Sequence, residues 1–172
     1  APAEVFALAD YDHKYRTLAQ LALRRPDLAY LAGANPTSFL RVQSILNAHR
    51  DALIDGVEHG RFECWESFSP GLQRALAPST VPLPNRASEL RSLPTPLTFA
   101  SVWPNLKLLA TWTGGGCGIA LARLAADLPP ACTVFDIGYL STEFRGTFTL
   151  QPGQAAGLPL LDQHFYEFVE QA

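Results

Sequence analysis

The sequence predicts an α/β protein in which a mixed sheet, built around one βαβ unit, carries flanking helices. Apolar runs at residues 106–113 and 133–137 have the length and composition of buried strands. The Ala/Leu-rich segment 119–125 between them is typical of a helix. A strand, a helix and a second strand in this order predict two parallel neighbouring strands. A further short apolar run, 28–31, suits another buried strand.

Two longer helices are predicted in the first third of the chain. In residues 11–25 the apolar side chains recur every three or four positions, which is the helical period. Asp10 precedes this segment as a plausible N-cap, and Pro26 follows it as a stop. A second helix is predicted over 37–57, and Gly60 is expected to end it.

The segment 61–100 is less regular, because six prolines interrupt any long element. It predicts surface helices and loops, with one short helix at 86–91. Its interspersed apolar side chains favour packing against the body of the protein over a free linker. These side chains are Trp65, Phe68, Leu72, Leu76 and Phe99.

The C-terminal part of the sequence predicts an antiparallel hairpin. Its strands are placed at 146–150 and 164–169, and the polar, Gly/Pro-containing stretch 151–157 forms the turn between them. We therefore expect a single α/β unit over 1–172. Its three regions are 1–60 with helices and a strand, 61–100 rich in proline, and 101–172 with the βαβ unit and the hairpin.

Composition limits the possible function classes. The chain has 172 residues, is 48% hydrophobic and carries a net charge of −3, so it can bury a core and offers no basic surface for nucleic acid. Three cysteines without close spacing argue against a disulfide framework and a zinc site, and favour the cytoplasm. No apolar run reaches the roughly 18 residues that a membrane span needs. The absence of methionine predicts a segment of a longer chain.

The first candidate for a binding site is a glycine-rich turn between the first strand of the βαβ unit and its helix. Thr113 is followed by Gly114, Gly115 and Gly116. Such a turn lets a base, a phosphate or an acyl group approach the backbone. It matches neither the phosphate-loop pattern nor the dinucleotide-binding pattern of glycines, and a lone glycine triplet is more often a purely structural tight turn. Cys117, beside this turn, could lie in the same pocket.

The second candidate follows the next strand and combines a ring, two hydroxyls and a carboxylate. Tyr139 can stack on a base, Ser141 and Thr142 can donate to phosphate oxygens, and Glu143 can hold a hard cation such as Mg²⁺. Each residue alone would more often be a rim aromatic, a turn residue or a solvated charge. Because both candidates follow neighbouring parallel strands, they are expected at the carboxyl ends where α/β sheets bind ligands.

Other clusters of polar residues have simpler explanations. Asp10, Asp12 and His13 could suggest a metal site, but a helix cap accounts for them. Glu63 and Glu66 could form an acid–base pair, and no second feature supports one.

Several short sequence motifs, each weak alone, together indicate a protein family by the order in which they occur. They are residues 27–30, 35–40, 103–107, 113–115, 138–143, 158–159 and 164–168. In this order they resemble the auxin-responsive promoter family of acyl acid amido synthetases. That family belongs to the adenylate-forming superfamily, together with acyl-CoA synthetases and firefly luciferase. The resemblance implies a fragment of the large N-terminal domain of such an enzyme.

The resemblance also implies a reaction. Enzymes of this family join a carboxylic acid to ATP, release pyrophosphate and hold an acyl adenylate, which an amine such as an amino acid then attacks. ATP and Mg²⁺ are the implied cofactors, and a small carboxylic acid and an amine are the implied substrates. The phosphate loop, the ribose-binding aspartate motif and the lysine-bearing C-terminal domain of the family do not occur in this sequence. The fragment by itself is therefore expected to be inactive.

Individual roles follow from the same resemblance. Tyr139 would stack on adenine, Thr142 would bond to the α-phosphate, and Glu143 would hold Mg²⁺, which makes Thr142 and Glu143 the implied catalytic residues. The implied nucleotide-binding residues are Thr113, Gly114, Gly115, Gly116, Tyr139, Ser141 and Thr142. The alternative is a non-catalytic α/β module that uses the same crevice to bind a small ligand or a partner protein.

Overall fold

The computed structural model describes residues 1–167 and residue 169, and it confirms a mixed α/β fold. Strands β1 (Tyr30–Ala32), β2 (Leu108–Thr111) and β3 (Thr133–Asp136) form one sheet in the order β1-β2-β3. Both pairings are parallel. The predicted βαβ unit is therefore confirmed. Its two strands are shorter than the apolar runs 106–113 and 133–137 from which they were predicted.

Helices α1 (Ala3–Phe6) and α2 (Tyr11–Leu23) open the chain. The carboxylate of Asp10 accepts a hydrogen bond from the backbone nitrogen of His13 at 2.9 Å, which confirms the predicted cap of α2. The same bond lowers the pKa of Asp10, because it favours the charged carboxylate. A cap thus accounts for Asp10 and His13 without a metal.

The single helix predicted over 37–57 is wrong, since the structure divides it into α3 (Thr37–Ala48) and α4 (Arg50–His59). The backbone leaves the helical conformation at His49, with φ −119° and ψ 24°. Near this break, the side chain of Asn47 bonds to both the nitrogen and the oxygen of Leu97. The apolar pattern hides the break because both helices turn their apolar side chains to one core. Gly60 ends α4 at φ 68°, as predicted.

The proline-rich region folds largely into short helices, one of which covers the helix predicted at 86–91. Helices α5 (Pro70–Leu76) and α6 (Pro84–Ser92) each have a proline in the first turn, where no hydrogen bond is lost. Helix α7 is Phe99–Val102, and two 3-10 turns lie at Trp65–Ser67 and Ala77–Ser79. The predicted packing of the interspersed apolar side chains against the body is confirmed, since Phe68, Leu72, Leu76 and Phe99 are buried in the apolar clusters.

Helix α8 (Cys117–Ala125) connects β2 to β3 and begins two residues earlier than the predicted segment. Strands β4 (Thr147–Thr149) and β5 (Gly157–Pro159) then form an antiparallel pair. The predicted second arm, 164–169, is wrong: residues 164–167 and 169 form no strand, and residue 168 lies outside the described part of the chain. Phe165 is 92% exposed, so its place in an alternating pattern did not reflect a buried face.

The main apolar core lies between the sheet and helices α2, α3, α4 and α6. Its fully buried members include Leu23, Leu46, Ile54, Leu90 and Leu109. Residues of the sheet, among them Leu109 of β2, thus belong to the same core as the helices.

No helix within residues 1–167 combines the length and the apolar character needed to cross a bilayer.

Candidate functional site

The two segments singled out in the sequence meet at one edge of the sheet. Thr111, the last residue of β2, pairs with Asp136, the last residue of β3. The glycine turn follows the first of these residues, and the loop containing Tyr139 follows the second. Parallel pairing in this register therefore brings both segments to the carboxyl ends of the strands.

A cleft of about 380 Å³ opens between the two segments. The structure thus brings two of the predicted site residues, Gly114 and Tyr139, into one cavity, and it places Cys117 there as well. Leu140 and Ala155 add apolar surface. The other lining residues are Trp112, Asp136 and Gly138.

The glycine turn presents open backbone. Gly115 has φ +57°, a conformation that glycine adopts without strain. A Cβ placed on Gly115 or Gly116 would meet no atom within 4 Å, and one on Gly114 would lie 3.6 Å from the Cβ of Ala155. Space above this turn is therefore available for a flat group to approach the peptide planes.

Both hydrogen-bond donors of Thr113 are used inside the protein. Its backbone nitrogen and its hydroxyl donate to Oδ2 of Asp136 at 2.6 and 2.7 Å. Asp136 is a site residue that the sequence reasoning missed. The signal was an acidic residue at the end of an apolar strand, directly before the turn at Gly138.

Gly138 is required by its surroundings. Its φ is +80°, and a Cβ at this position would lie 2.5 Å from the backbone oxygen of Thr147. The indole nitrogen of Trp112 donates to the Gly138 oxygen at 3.0 Å. The turn after β3 is thereby tied to the segment after β2.

Tyr139 is held at its backbone and exposed at its ring. Its nitrogen donates to Oγ1 of Thr147 at 2.8 Å. The ring makes an edge contact with Phe144, with centroids 5.8 Å apart and an interplanar angle of 70°. Because 70% of the residue is exposed, surface remains for stacking on a base.

Ser141, Thr142 and Glu143 follow the cleft residues Tyr139 and Leu140 directly, and they form an exposed group of their own outside the lining of the cleft. The carboxylate of Glu143 accepts hydrogen bonds from the Thr142 hydroxyl and, at 3.1 Å, from the Ser141 hydroxyl. Both bonds lower the pKa of Glu143, and the bond from Thr142 has the larger effect. Glu143 therefore stays charged, and its oxygens are hard donors of the kind that Mg²⁺ prefers.

A second group of possible metal ligands lies elsewhere, on α4. Among the described residues, Asp55, Glu58 and His59 bring one potential ligand atom each within 4.8 Å of one another. Arg61 pairs with Asp55, and Arg91 pairs with Glu58. The carboxylates are thus already neutralised by arginines, as in an ordinary surface ion-pair cluster.

Comparison with known proteins decides the family. The sequence model of the GH3 family N-terminal domain matches residues 1–126. The chain belongs to the GH3 family. The match includes β1, β2, the glycine turn and α8, and it ends before Tyr139 and Glu143. Those two residues of the GH3 chain therefore lie outside the matched part.

Solved structures show the same fold. A GH3.15 acyl acid amido synthetase superimposes with a TM-score of 0.70 at 21% identity, covering 86% of the GH3 chain and 28% of that protein. The AtGH3.15 acyl acid amido synthetase in complex with 2,4-DB gives a TM-score of 0.64 at 20% identity, covering 76% and 24%. The GH3 chain thus spans about a quarter of the length of these proteins. No curated protein sequence matches it. The family resemblance inferred from the motifs is confirmed.

Proposed function

We propose that this GH3 chain forms part of an ATP-dependent acyl acid amido synthetase, an acid–amino acid ligase, and supplies part of its nucleotide site. One observation carries the proposal. Gly114 and Tyr139 line a single cleft at the carboxyl ends of two adjacent parallel strands. A cleft of about 380 Å³ lies within the range of about 300–1,000 Å³ that is usual for small-molecule sites.

In this proposal the adenine lies between the glycine turn and the ring of Tyr139. The peptide planes at Gly114, Gly115 and Gly116 offer a flat surface without side chains. The exposed ring of Tyr139 offers the stacking partner. Thr113 supports the turn through Asp136, so its contribution to the nucleotide comes from its backbone position.

The phosphates of ATP lie toward the hydroxyl–carboxylate group in this proposal. The Thr142 hydroxyl, which donates to Glu143 in the structure, can turn to an oxygen of the α-phosphate, and Ser141 can donate beside it. Glu143 holds Mg²⁺, which supplies positive charge against the phosphates when it is bound. Binding both substrates in one site would align the carboxylate with the phosphorus that it attacks.

The substrates proposed for the whole enzyme are a small carboxylic acid and an amine such as an amino acid. The related AtGH3.15 protein was solved with 2,4-DB bound. We also place the protein in the cytoplasm, in keeping with three free cysteines. We also propose that residues 1–172 form a single unit with the three regions 1–60, 61–100 and 101–172.

A second candidate is a non-catalytic module that binds a small ligand or a partner protein. The charges of the residues that line the cleft favour this binding module. Among the described residues that line the cleft, none is a lysine or an arginine that could neutralise phosphate charge. A ligand without phosphates would need no such cation.

Acid-dependent ATP–pyrophosphate exchange tests the proposal. The full-length protein is screened over aromatic and aliphatic acids, and Glu143→Ala is compared with Glu66→Ala, an exposed glutamate outside the cleft. We expect exchange in the wild type and in Glu66→Ala, and none in Glu143→Ala. Normal exchange in Glu143→Ala would remove the metal assignment. Absence of exchange with every acid would favour the binding module.

A further inference from the structure

Asp136 is a buried carboxylate whose two oxygens face four donors. Only 4% of the residue is exposed. Oδ2 accepts from the nitrogen and the hydroxyl of Thr113 at 2.6 and 2.7 Å. Oδ1 accepts from the Gly138 nitrogen at 2.7 Å and, at 3.4 Å, from the Thr149 hydroxyl. The cost of burying this charge is thus offset by hydrogen bonds.

The four donors come from three separate pieces of the chain. Thr113 begins the glycine turn after β2, Gly138 begins the loop that carries Tyr139, and Thr149 ends β4 of the hairpin. Both walls of the cleft are therefore fastened to the same side chain. A carboxylate is suited to this task because both of its oxygens accept hydrogen bonds, whereas an amide offers one oxygen and a nitrogen that donates.

The hydrogen bonds that Asp136 accepts leave neither of its oxygens for a cation. Each already accepts at least one short hydrogen bond from the protein. The carboxylate lines the cleft but has no oxygen without a donor to offer a cation. Its contribution is therefore geometric.

We propose that Asp136 is a positioning residue that fixes the distance between the glycine turn and the Tyr139 loop and thereby sets the affinity for the nucleotide. This inference rests on the proposed function, because it assigns the cleft to ATP. It adds a residue that the family resemblance did not point to.

The test is Asp136→Asn in the full-length protein. The asparagine amide places an N–H group against the donors of Thr113 or against that of Gly138. Its one neutral oxygen holds the other wall more weakly than a carboxylate does, so the anchors of both walls weaken. We expect the KM for ATP in acid-dependent exchange to rise by at least about tenfold, with a smaller change in kcat. Hydrogen exchange should become faster in residues 113–118 and 138–149 and stay unchanged in α2–α4.

Three further variants show whether an effect on the KM for ATP comes from the hydrogen bonds of Asp136. Asp127→Asn alters a carboxylate that bonds to Gln43 outside the cleft, and it should leave the KM for ATP unchanged. Thr149→Val removes only the longest of the four bonds, and it should change the KM by less than about twofold. If Asp136→Asn does not fold, Thr113→Val, which retains the backbone donor, should still raise the KM.

The outcomes separate the two proposals. Faster local exchange together with an unchanged KM for ATP would overturn the positioning role, and unchanged local exchange would overturn the anchoring itself. If the wild type catalyses no acid-dependent exchange, the proposed function fails and the positioning role for a nucleotide fails with it. The hydrogen-exchange result then still decides whether Asp136 anchors both walls.

Discussion

The backbone nitrogen and the hydroxyl of Thr113 both donate to one oxygen of Asp136, at 2.6 and 2.7 Å. This relationship joins the end of β3 to the start of the glycine turn after β2. A turn with three consecutive glycines has high conformational freedom before folding. Its fixed entry point gives the cleft one defined wall.

Replacing Thr113 tests how much this junction stabilises the protein. Thr113→Val keeps the backbone donor and removes the hydroxyl, so we expect the free energy of unfolding to fall by about 1.5–3 kcal/mol, as for hydrogen bonds to charged groups. Thr113→Ser keeps the hydroxyl and serves as the control. Urea denaturation measures both. Equal stability of the valine and serine variants would show that the hydroxyl contributes nothing.

Cys117 provides a reporter inside the cleft. If the proposed nucleotide site is correct, ATP with Mg²⁺ should protect it from alkylation by iodoacetamide, because a nucleotide bound there would cover the cleft that Cys117 lines. At a concentration ten times its Kd, ATP should slow the reaction about tenfold. The rate is measured by mass spectrometry of the labelled peptides.

The other two cysteines are internal controls for this experiment. Cys64 and Cys132 lie outside the cleft, so ATP should leave their rates unchanged. Burial raises the pKa of the Cys132 thiol, so at neutral pH it should react slowly with or without nucleotide. Equal protection of Cys64 and Cys117 would mean that ATP acts through the overall fold and not by covering this cleft.

Gly146 tests the placement of the Tyr139 ring. A Cβ at this position would lie 2.5 Å from a ring carbon of Phe144 and 2.7 Å from Cδ1 of Tyr139. Gly146→Ala should therefore displace the ring and raise the KM for ATP several-fold in the full-length protein.

Gly118→Ala is the matched control. Nothing lies within 4 Å of a Cβ at this position in α8, so the substitution should leave the KM unchanged and stabilise the fold by about 0.4–1 kcal/mol. An unaltered KM in Gly146→Ala would show that the position of the ring does not govern ATP binding.

The titration of Glu143 depends on its two neighbours. Hydrogen bonds from Thr142 and Ser141 lower its pKa. A lowered pKa means that these bonds stabilise the protein above the ordinary carboxyl pKa, and that this contribution is lost as the pH falls through the lower folded-state pKa. Combining Ser141→Ala with Thr142→Val should move the Glu143 titration up toward the ordinary carboxyl range.

Carbon-13 NMR of the glutamate carboxyls follows this titration. Thr142→Ser alone retains both hydroxyls and should leave the titration in place. If the double variant titrates as the wild type does, the hydroxyls are not the cause of the shift.

Sequence reasoning found the features that depend on local pattern. The lengths of the apolar runs, with one helix between them, predicted the parallel pair β2–β3, and parallel pairing placed Gly114 and Tyr139 at the same edge. The cap at Asp10 was predictable because its bond to His13 spans only three residues.

Features that depend on distant contacts were not predictable in this way. The break at His49 lies where Asn47 bonds to Leu97, fifty residues away. The second hairpin arm was placed at 164–169 because residues there alternate, although that segment contributes the rings of His164 and Tyr166 to a chain of aromatic contacts that begins at Tyr139. Asp136 was missed because its donors are up to 23 residues away in the chain.

The position of the adenine in the full-length protein decides whether the glycine turn and the Tyr139 loop form the nucleotide site. Photolabelling with 8-azido-ATP, with excess ATP as competitor and peptide mapping by mass spectrometry, locates the base. We expect the peptides containing the Gly114–Gly116 turn or Tyr139 to carry label that excess ATP displaces. Displaceable label found only in peptides outside these two segments would contradict this expectation.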